Sequence, residues 1–380
     1  MKKMLGNKVV PAITLIALVS GCAVSGGTPA PTYNANVSAA GQANSFIEAA
    51  NEKHMKGVNK VGVLSCNVMF GMTSAASAST SGGFRAGADR ATGTISRSDV
   101  KVTVTYTVDG VQESELQRIA DQACADAEQQ LADAGFQVVP LSTMKANGNY
   151  QAIQKGGRSS PFEYKEKRSG TRYLVLARSG DTVTDTRYTG AAQGFAQSFK
   201  AVTGDGTAQL ESQLIKDLGM TGVNINLLVD FASLESDGHK TFAGLANKNS
   251  AKVKADIQLA VSGDLRFQPI GEQKCWKEYG KEKCMIKSNH QPVFATRQAV
   301  SSDKRFYSSI EDATTTGDKI TSGLTKAVGM LSALSGTSSK VARDITRYQV
   351  NVIPEVYDAE AVTLSRGLSG MAAAKAASSR

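Results

Sequence analysis

Odd-numbered positions from 223 to 231 hold Val, Ile, Leu, Val and Phe, and those from 253 to 261 hold Val, Ala, Ile, Leu and Val. Most even positions in both runs are polar. Side chains alternate between the two faces of a strand, so period-two runs of this kind predict two half-buried strands. The stretch between them, ESDGHKTFAGLANKNS, is rich in Gly, Asn and Ser and predicts a polar connection, which makes the two runs a long antiparallel hairpin. The apolar face of such a hairpin must either cover helices or meet lipid. Strands of nine or more residues are long enough to cross an outer membrane, and a soluble hairpin laid over a core shows the same alternation.

Elsewhere helix and strand signals alternate. NKVGVLSCNVMF, residues 59 to 70, is a nearly continuous apolar run of strand length, suited to a central strand covered on both faces. From 100 to 108, Val100, Val102, Val104, Tyr106 and Val108 share one face of a third alternating strand. Leu116, Ile119, Ala120, Ala123, Ala127, Leu131 and Ala134 recur at helical spacing, Gly135 follows as a cap, and FQVVP reads as a strand. Leu210, Leu214 and Leu218 form a second helical stripe, capped by Gly219 and followed by MTGVNINLLVDF. Helix, glycine, strand is used twice, which predicts an α/β (α+β) fold: a mixed sheet with packed helices and a long antiparallel hairpin, after a flexible N-terminal tether. A short helix is expected around Ser45 to His54, a mobile loop over the Gly/Ser/Ala-rich segment that follows Phe70, and strands in QPVFATRQAV and TRYQVNVIP. Ile320, Leu324, Ala327, Val328 and Leu331 have helical spacing, and the tail ending in MAAAKAASSR is expected to fray.

The first eight residues carry three lysines and no acid, and the apolar run VVPAITLIALVSG after them is too short for a spanning helix of about 20 residues. This pattern is a secretory leader. Val19, Ser20, Gly21 and Cys22 then resemble the lipobox of bacterial lipoproteins. The resemblance implies cleavage before Cys22, a diacylglycerol on its thiol and stable tethering by two or three acyl chains. Ala23, where inner-membrane retention typically requires Asp, implies the periplasmic face of the outer membrane. The expected organisation is a leader over 1 to 21, a Gly/Ala/Ser/Pro-rich tether over 22 to 43, an α/β periplasmic domain with hairpin insertions over 44 to 302, and a C-terminal helical and strand region over 303 to 380.

Removal of Lys2, Lys3 and Lys8 with the leader lowers the formal net charge from +9 to +6. A periplasmic address and 6% aromatic residues argue against nucleic acid as a partner despite a pI near 9.2. The expected partners are outer-membrane lipid through acylated Cys22, and other proteins or further copies of the chain. Four cysteines follow Cys22. Cys275 and Cys284 bracket WKEYGKEK, which suits a disulfide across a hairpin in an oxidising compartment. The sharper alternative is zinc, because His290 lies six residues further on, although a fourth ligand is not evident. Cys66 in a strand and Cys124 on the inner face of a helix pair if that helix packs on that strand, and otherwise are buried free thiols. His54, His239 and His290 occupy no metal-binding spacing, and no GxSxG, Walker A loop or GxGxxG occurs. With a single tryptophan, Trp276, a sugar-stacking cleft is not expected either. The chain reads as a non-enzyme without a cofactor, a periplasmic binding or scaffold component of an outer-membrane assembly.

The order of these features, a lipobox, the strand VGVLSCNVMF, the helix ending LADAGFQVVP, the helix ending IKDLG with its strand VNINLLVDF, and the partner strand VKADIQLAVSGDLRF, resembles the curli secretion-channel lipoproteins. That resemblance covers residues 59 to 268. It implies a ring of α/β domains whose inserted hairpins assemble a shared barrel. The 223 to 261 hairpin stands for one insertion. The sequence offers no clear second hairpin, the segment after Phe70 is long for the family, and the Cys275 to Cys284 hairpin has no counterpart in it.

Overall fold

A computed structural model describes residues 33–79, 100–165, 170–184, 206–239, 250–316, 318 and 342–380. The leader, Cys22 and the helix expected around 320 to 331 lie outside the described residues. Among the described residues the chain forms a mixed twelve-stranded sheet, six α-helices and a separate two-stranded hairpin. No described helix is long and apolar enough to cross a membrane.

The chain enters through α1 (Ala39–Phe46) and β1 (Ile47–Ala50), followed by a tight turn at Glu52–Met55. This corrects the helix expected at Ser45 to His54: Ser38 accepts a hydrogen bond from the Gly41 N–H and starts the helix earlier, inside the stretch read as tether. β2 (Lys60–Ser79) and β3 (Val100–Asp109) come next. The expected loop after Phe70 is therefore strand as far as Ser79, because small Ser and Ala residues pair with β3 without needing a core of their own. α2 (Glu113–Asp133) ends before Gly135, whose φ of +87° only glycine adopts freely, and β4 (Gln137–Val138) follows as expected. α3 (Leu141–Ala146), α4 (Gly148–Gly156), β5 (Phe162–Lys165) and β6 (Arg172–Ala177) lead to α5 (Thr207–Leu218). The two longest antiparallel partners are β7 (Thr221–His239) and β8 (Ser250–Gln268), both longer than their alternating cores predict. A turn at Ile270–Glu272 precedes the small hairpin of β9 (Lys274–Glu278) and β10 (Lys281–Met285). β11 (Val293–Thr296), β12 (Val300–Ser301), β13 (Tyr307–Asp312), β14 (Ala342–Val352) and α6 (Pro354–Ala377) complete the chain.

The main path of the sheet runs β1-β11-β8-β7-β2-β3-β14-β13. β2 pairs in parallel with β7, and β14 in parallel with β3, whereas β7 and β8 are antiparallel. One face carries the core. Val61, Val63, Val68 and Phe70 of β2, Val223, Ile225, Leu227 and Val229 of β7, and Val261, Leu265 and Phe267 of β8 are all buried against α1, α2 and α6. The C-terminal region shares this sheet and this core. Its last helix is not frayed: Leu368, Met371, Ala373 and Ala376 are at most 1% exposed, and the small residues there let α6 lie close to α2. Arg366 forks onto both oxygens of Asp126 at 2.9 and 3.2 Å, fixing the two helices relative to each other.

The opposite face explains the polar even positions. Asn224 and Asn226 are buried beneath the second helix layer, where Asn224 donates to Ser65 Oγ at 2.8 Å and Asn226 donates to Asp264 Oδ1 at 3.1 Å. Asn67 donates to Asn226 Oδ1 and to the Thr184 carbonyl, and Gln268 donates to Glu211 and Asn224. The bonds among Ser65, Asn67, Asn224, Asn226, Asp264 and Gln268 fix one strand's register on the next, since a one-residue slip would exchange this polar face for the apolar one.

Candidate functional site

At the level of Gly71 and Asp230 the sheet forks. The β2–β7 ladder ends at Phe70↔Val229. Beyond it β2 pairs with β3 from Thr73↔Thr107 to Ser79↔Lys101, and β7 pairs with β8 from Ala232↔Ile257 to His239↔Ser250. Register shifts interrupt β2 between Gly71 and Thr73 and β7 between Asp230 and Ala232, and such irregularities bend a strand and raise its twist. Gly71 is required at the fork: a Cβ there would lie 2.5 Å from Asp230 Oδ1. That oxygen accepts the Phe231 N–H at 2.8 Å. Burial pushes the Asp230 carboxyl above its ordinary pKa, against the lowering effect of the Phe231 and Ala232 N–H groups.

Past the fork the β7–β8 pair is a two-stranded ribbon. β7 from 230 to 239 and β8 from 250 to 259 pair with no other strand among the described residues. Its eight pairs from Ala232 to His239 extend roughly 27 Å at about 3.4 Å per residue. Directly opposed residues of an antiparallel pair share a face. In this ribbon Ala232↔Ile257, Leu234↔Ala255 and Ser236↔Val253 fall in one class, and Ser233↔Asp256, Glu235↔Lys254 and Asp237↔Lys252 in the other. The β2–β3 ribbon has the same division, with Ala76↔Val104 and Ala78↔Val102 alternating with Ala75↔Thr105, Ser77↔Thr103 and Ser79↔Lys101. β14 extends this second ribbon in parallel along β3. Tyrosines gather near the fork, where Tyr106 stacks on Tyr348 at 4.9 Å and Tyr164 on Tyr173 at 6.2 Å.

The residues singled out by sequence fall in other places. Cys22 lies outside the described residues. Cys275 and Cys284 are joined across the β9–β10 hairpin, with sulfurs 2.07 Å apart. Cys66 of β2 and Cys124 of α2 are likewise bonded, and buried. The zinc alternative at the hairpin fails because its two thiols are spent on each other, and His290 turns elsewhere. Its Nδ1 lies 2.6 Å from Glu272 Oε2, while Nδ1 of His54 lies 2.6 Å from Glu272 Oε1. These three residues, at the opposite end of β8 from the ribbon, are one of two groups of close metal-capable donors among the described residues, the other being Cys275, Glu282 and Cys284, whose thiols are joined to each other.

Sequence reading missed two things here. The β2–β3 ribbon was hidden because its β2 half is Gly, Ser and Ala, residues whose presence signals a loop as readily as a strand. Only the alternation of Val100 to Val108, which demanded a partner, pointed to it. The histidine pair was invisible because its members are 236 positions apart and no local spacing links them. Comparison with protein-family models, with curated proteins and with solved structures finds no match.

Proposed function

We propose that the protein is a non-enzymatic outer-membrane lipoprotein, anchored through acylated Cys22, whose ribbons close with those of neighbouring copies into an oligomeric secretion channel of the curli-secretion type. The observation that carries this reading is the β7–β8 ribbon with both outer edges unpaired among the described residues. A lone two-stranded ribbon is marginal in water, and its edges are templates for further strands. Lipid makes the demand stricter: an open edge leaves backbone groups unsatisfied, so only a closed ring of many copies is stable there.

Three features support the same reading. Each ribbon alternates an apolar or small class with a polar class, the dyad of a barrel wall with a lipid face and a lumen face. The ten residues of β7 past the fork match the 9–11 residues a membrane-crossing strand requires. The tyrosines near the fork suit an interfacial aromatic belt.

The second reading, a tethered periplasmic binding or scaffold lipoprotein, draws on the α/β body alone and leaves the ribbon edges without a role. Gel filtration with light scattering on the detergent-extracted native protein separates the two. The channel reading expects a ring of many protomers that conducts ions in a planar bilayer, and a monomeric, non-conducting particle would remove it in favour of the scaffold. Cys22→Ser should abolish lipid labelling and leave a soluble or uncleaved protein. A variant still fully membrane-bound and labelled would refute the anchor.

A further inference from the structure

We propose that His54, Glu272 and His290 form a binding site for one divalent transition-metal ion of the zinc class. The chain has three histidines, and two of them converge on one carboxylate. His54 lies in the turn after β1, Glu272 in the turn leaving β8, and His290 in a turn over Ser288–His290 before β11. These turns are held in place by the sheet. β11 pairs with both β1 and β8, the Phe267 N–H donates to the Pro292 carbonyl at 2.8 Å, and Asn51 Nδ2 donates to the Gln291 carbonyl at 3.1 Å. The donors are therefore positioned by the fold and not by one mobile loop.

The two imidazole rings stack with centroids 4.5 Å apart and planes 17° apart, and each presents Nδ1 to a different oxygen of Glu272. One donor atom from each residue lies within 4.8 Å of those of the other two. A neutral imidazole that donates from Nδ1 has a bare Nε2, so metal binding moves its one proton to Nε2 and frees the Nδ1 lone pair: the two Nδ1 atoms and the carboxylate bind the ion, and neither neutral ring loses a net proton. Two imidazole nitrogens and one oxygen suit zinc, cobalt or nickel and not calcium or magnesium, which take all-oxygen shells. Zinc bonds of about 2.0–2.2 Å in tetrahedral array put donors about 3.3 Å apart, so each side chain must draw back by a few tenths of an ångström from its present 2.6 Å contact, and the stacked rings, 17° from parallel, must turn so that both in-plane Nδ1 lone pairs converge on one ion. The side chains are 13%, 29% and 26% exposed for His54, Glu272 and His290, which leaves room for that movement and for water at a fourth position. His54 and Glu272 also border an open cleft of about 580 Å³, which gives the ion a route in.

Such an ion would pin three turns at the pole of the body away from the ribbons, whatever the ribbons do. The test is calorimetric titration of ZnCl2 into the full-length detergent-extracted protein, purified without a polyhistidine tag and stripped with EDTA. One ion per chain is expected. His54→Ala and His290→Ala should each weaken binding at least about 100-fold and Glu272→Gln by about 10- to 100-fold, with His239→Ala unchanged. Zinc binding that survives in the His54→Ala/His290→Ala double variant, or no binding by the native protein, overturns the site. If a variant fails to fold, X-ray absorption of the zinc-loaded native protein decides. Scattering from two imidazoles supports the site, and a shell of oxygen alone refutes it.

Discussion

The two halves of the β7–β8 ladder share one pair of strands and differ in everything around them. From Gly222 to Val229, β7 has β2 on its other edge, an apolar face against α2 and α6, and a buried polar face tied to Ser65 and Asp264. From Ala232 to His239 it pairs with β8 alone among the described residues. The backbone pairing is the same, so pairing is not what makes the first half stable by itself. Burial on both faces does that, and the second half needs another chain or a lipid phase to supply the equivalent.

Charge placed in each half should separate them most sharply. Leu227→Asp puts a carboxylate in the buried face of the base and should cost on the order of 5 kcal/mol, read as loss of cooperative thermal unfolding. Leu234→Asp, in the apolar class of the ribbon, should leave the melting temperature of the body within a degree and, under the channel reading, lower the assembly mass read by light scattering. Equal damage from both would erase the distinction.

Next comes the bridge that staples the base. Replacing Cys66 and Cys124 together by Ala opens a closure of 58 residues and should cost about 4 kcal/mol, whereas the nine-residue closure of Cys275 and Cys284 should cost about 2–3 kcal/mol, both read by denaturant titration. At the fork itself, Gly71→Ala forces a methyl group against Asp230 and should cost about 1–3 kcal/mol, in part restored by Asp230→Ala in the double variant.

The smallest effect is one of pH. The folded state holds the Asp230 proton more tightly than the unfolded chain does, so this residue's contribution is present below the unfolded-state pKa near 4 and is lost as pH rises through the higher folded value. Asp230→Asn should therefore raise the melting temperature relative to wild type at pH 7 and not at pH 3.5. An equal gain at both would show that the carboxyl is not the titrating group.

The base was legible in the sequence because burial writes a period: Val223 to Phe231 in steps of two, Leu116 to Leu131 in steps of three and four. The alternation predicts a half-buried strand, yet Asn224 and Asn226 are buried too: Asn224 is satisfied by Ser65 and Gln268 and Asn226 by Asp264 and Asn67, under a second layer of helices that apolar periodicity does not report. α3 and α4 were not anticipated because they are short and bury little beyond Met144, Tyr150 and Ile153. The histidine pair lay beyond reach for a different reason: tertiary convergence onto Glu272 leaves no mark in local spacing.

The position of α6 sets an order of events. The apolar face of β7 and β8 is roofed by a helix that is the last element of the chain, and the Arg366–Asp126 pair that seats it joins residues 240 apart. Until that segment arrives, the sheet has no lid on its core, and contacts of such long separation form slowly. A chain built this way cannot close its core until nearly all of it, from β2 to α6, is available to fold.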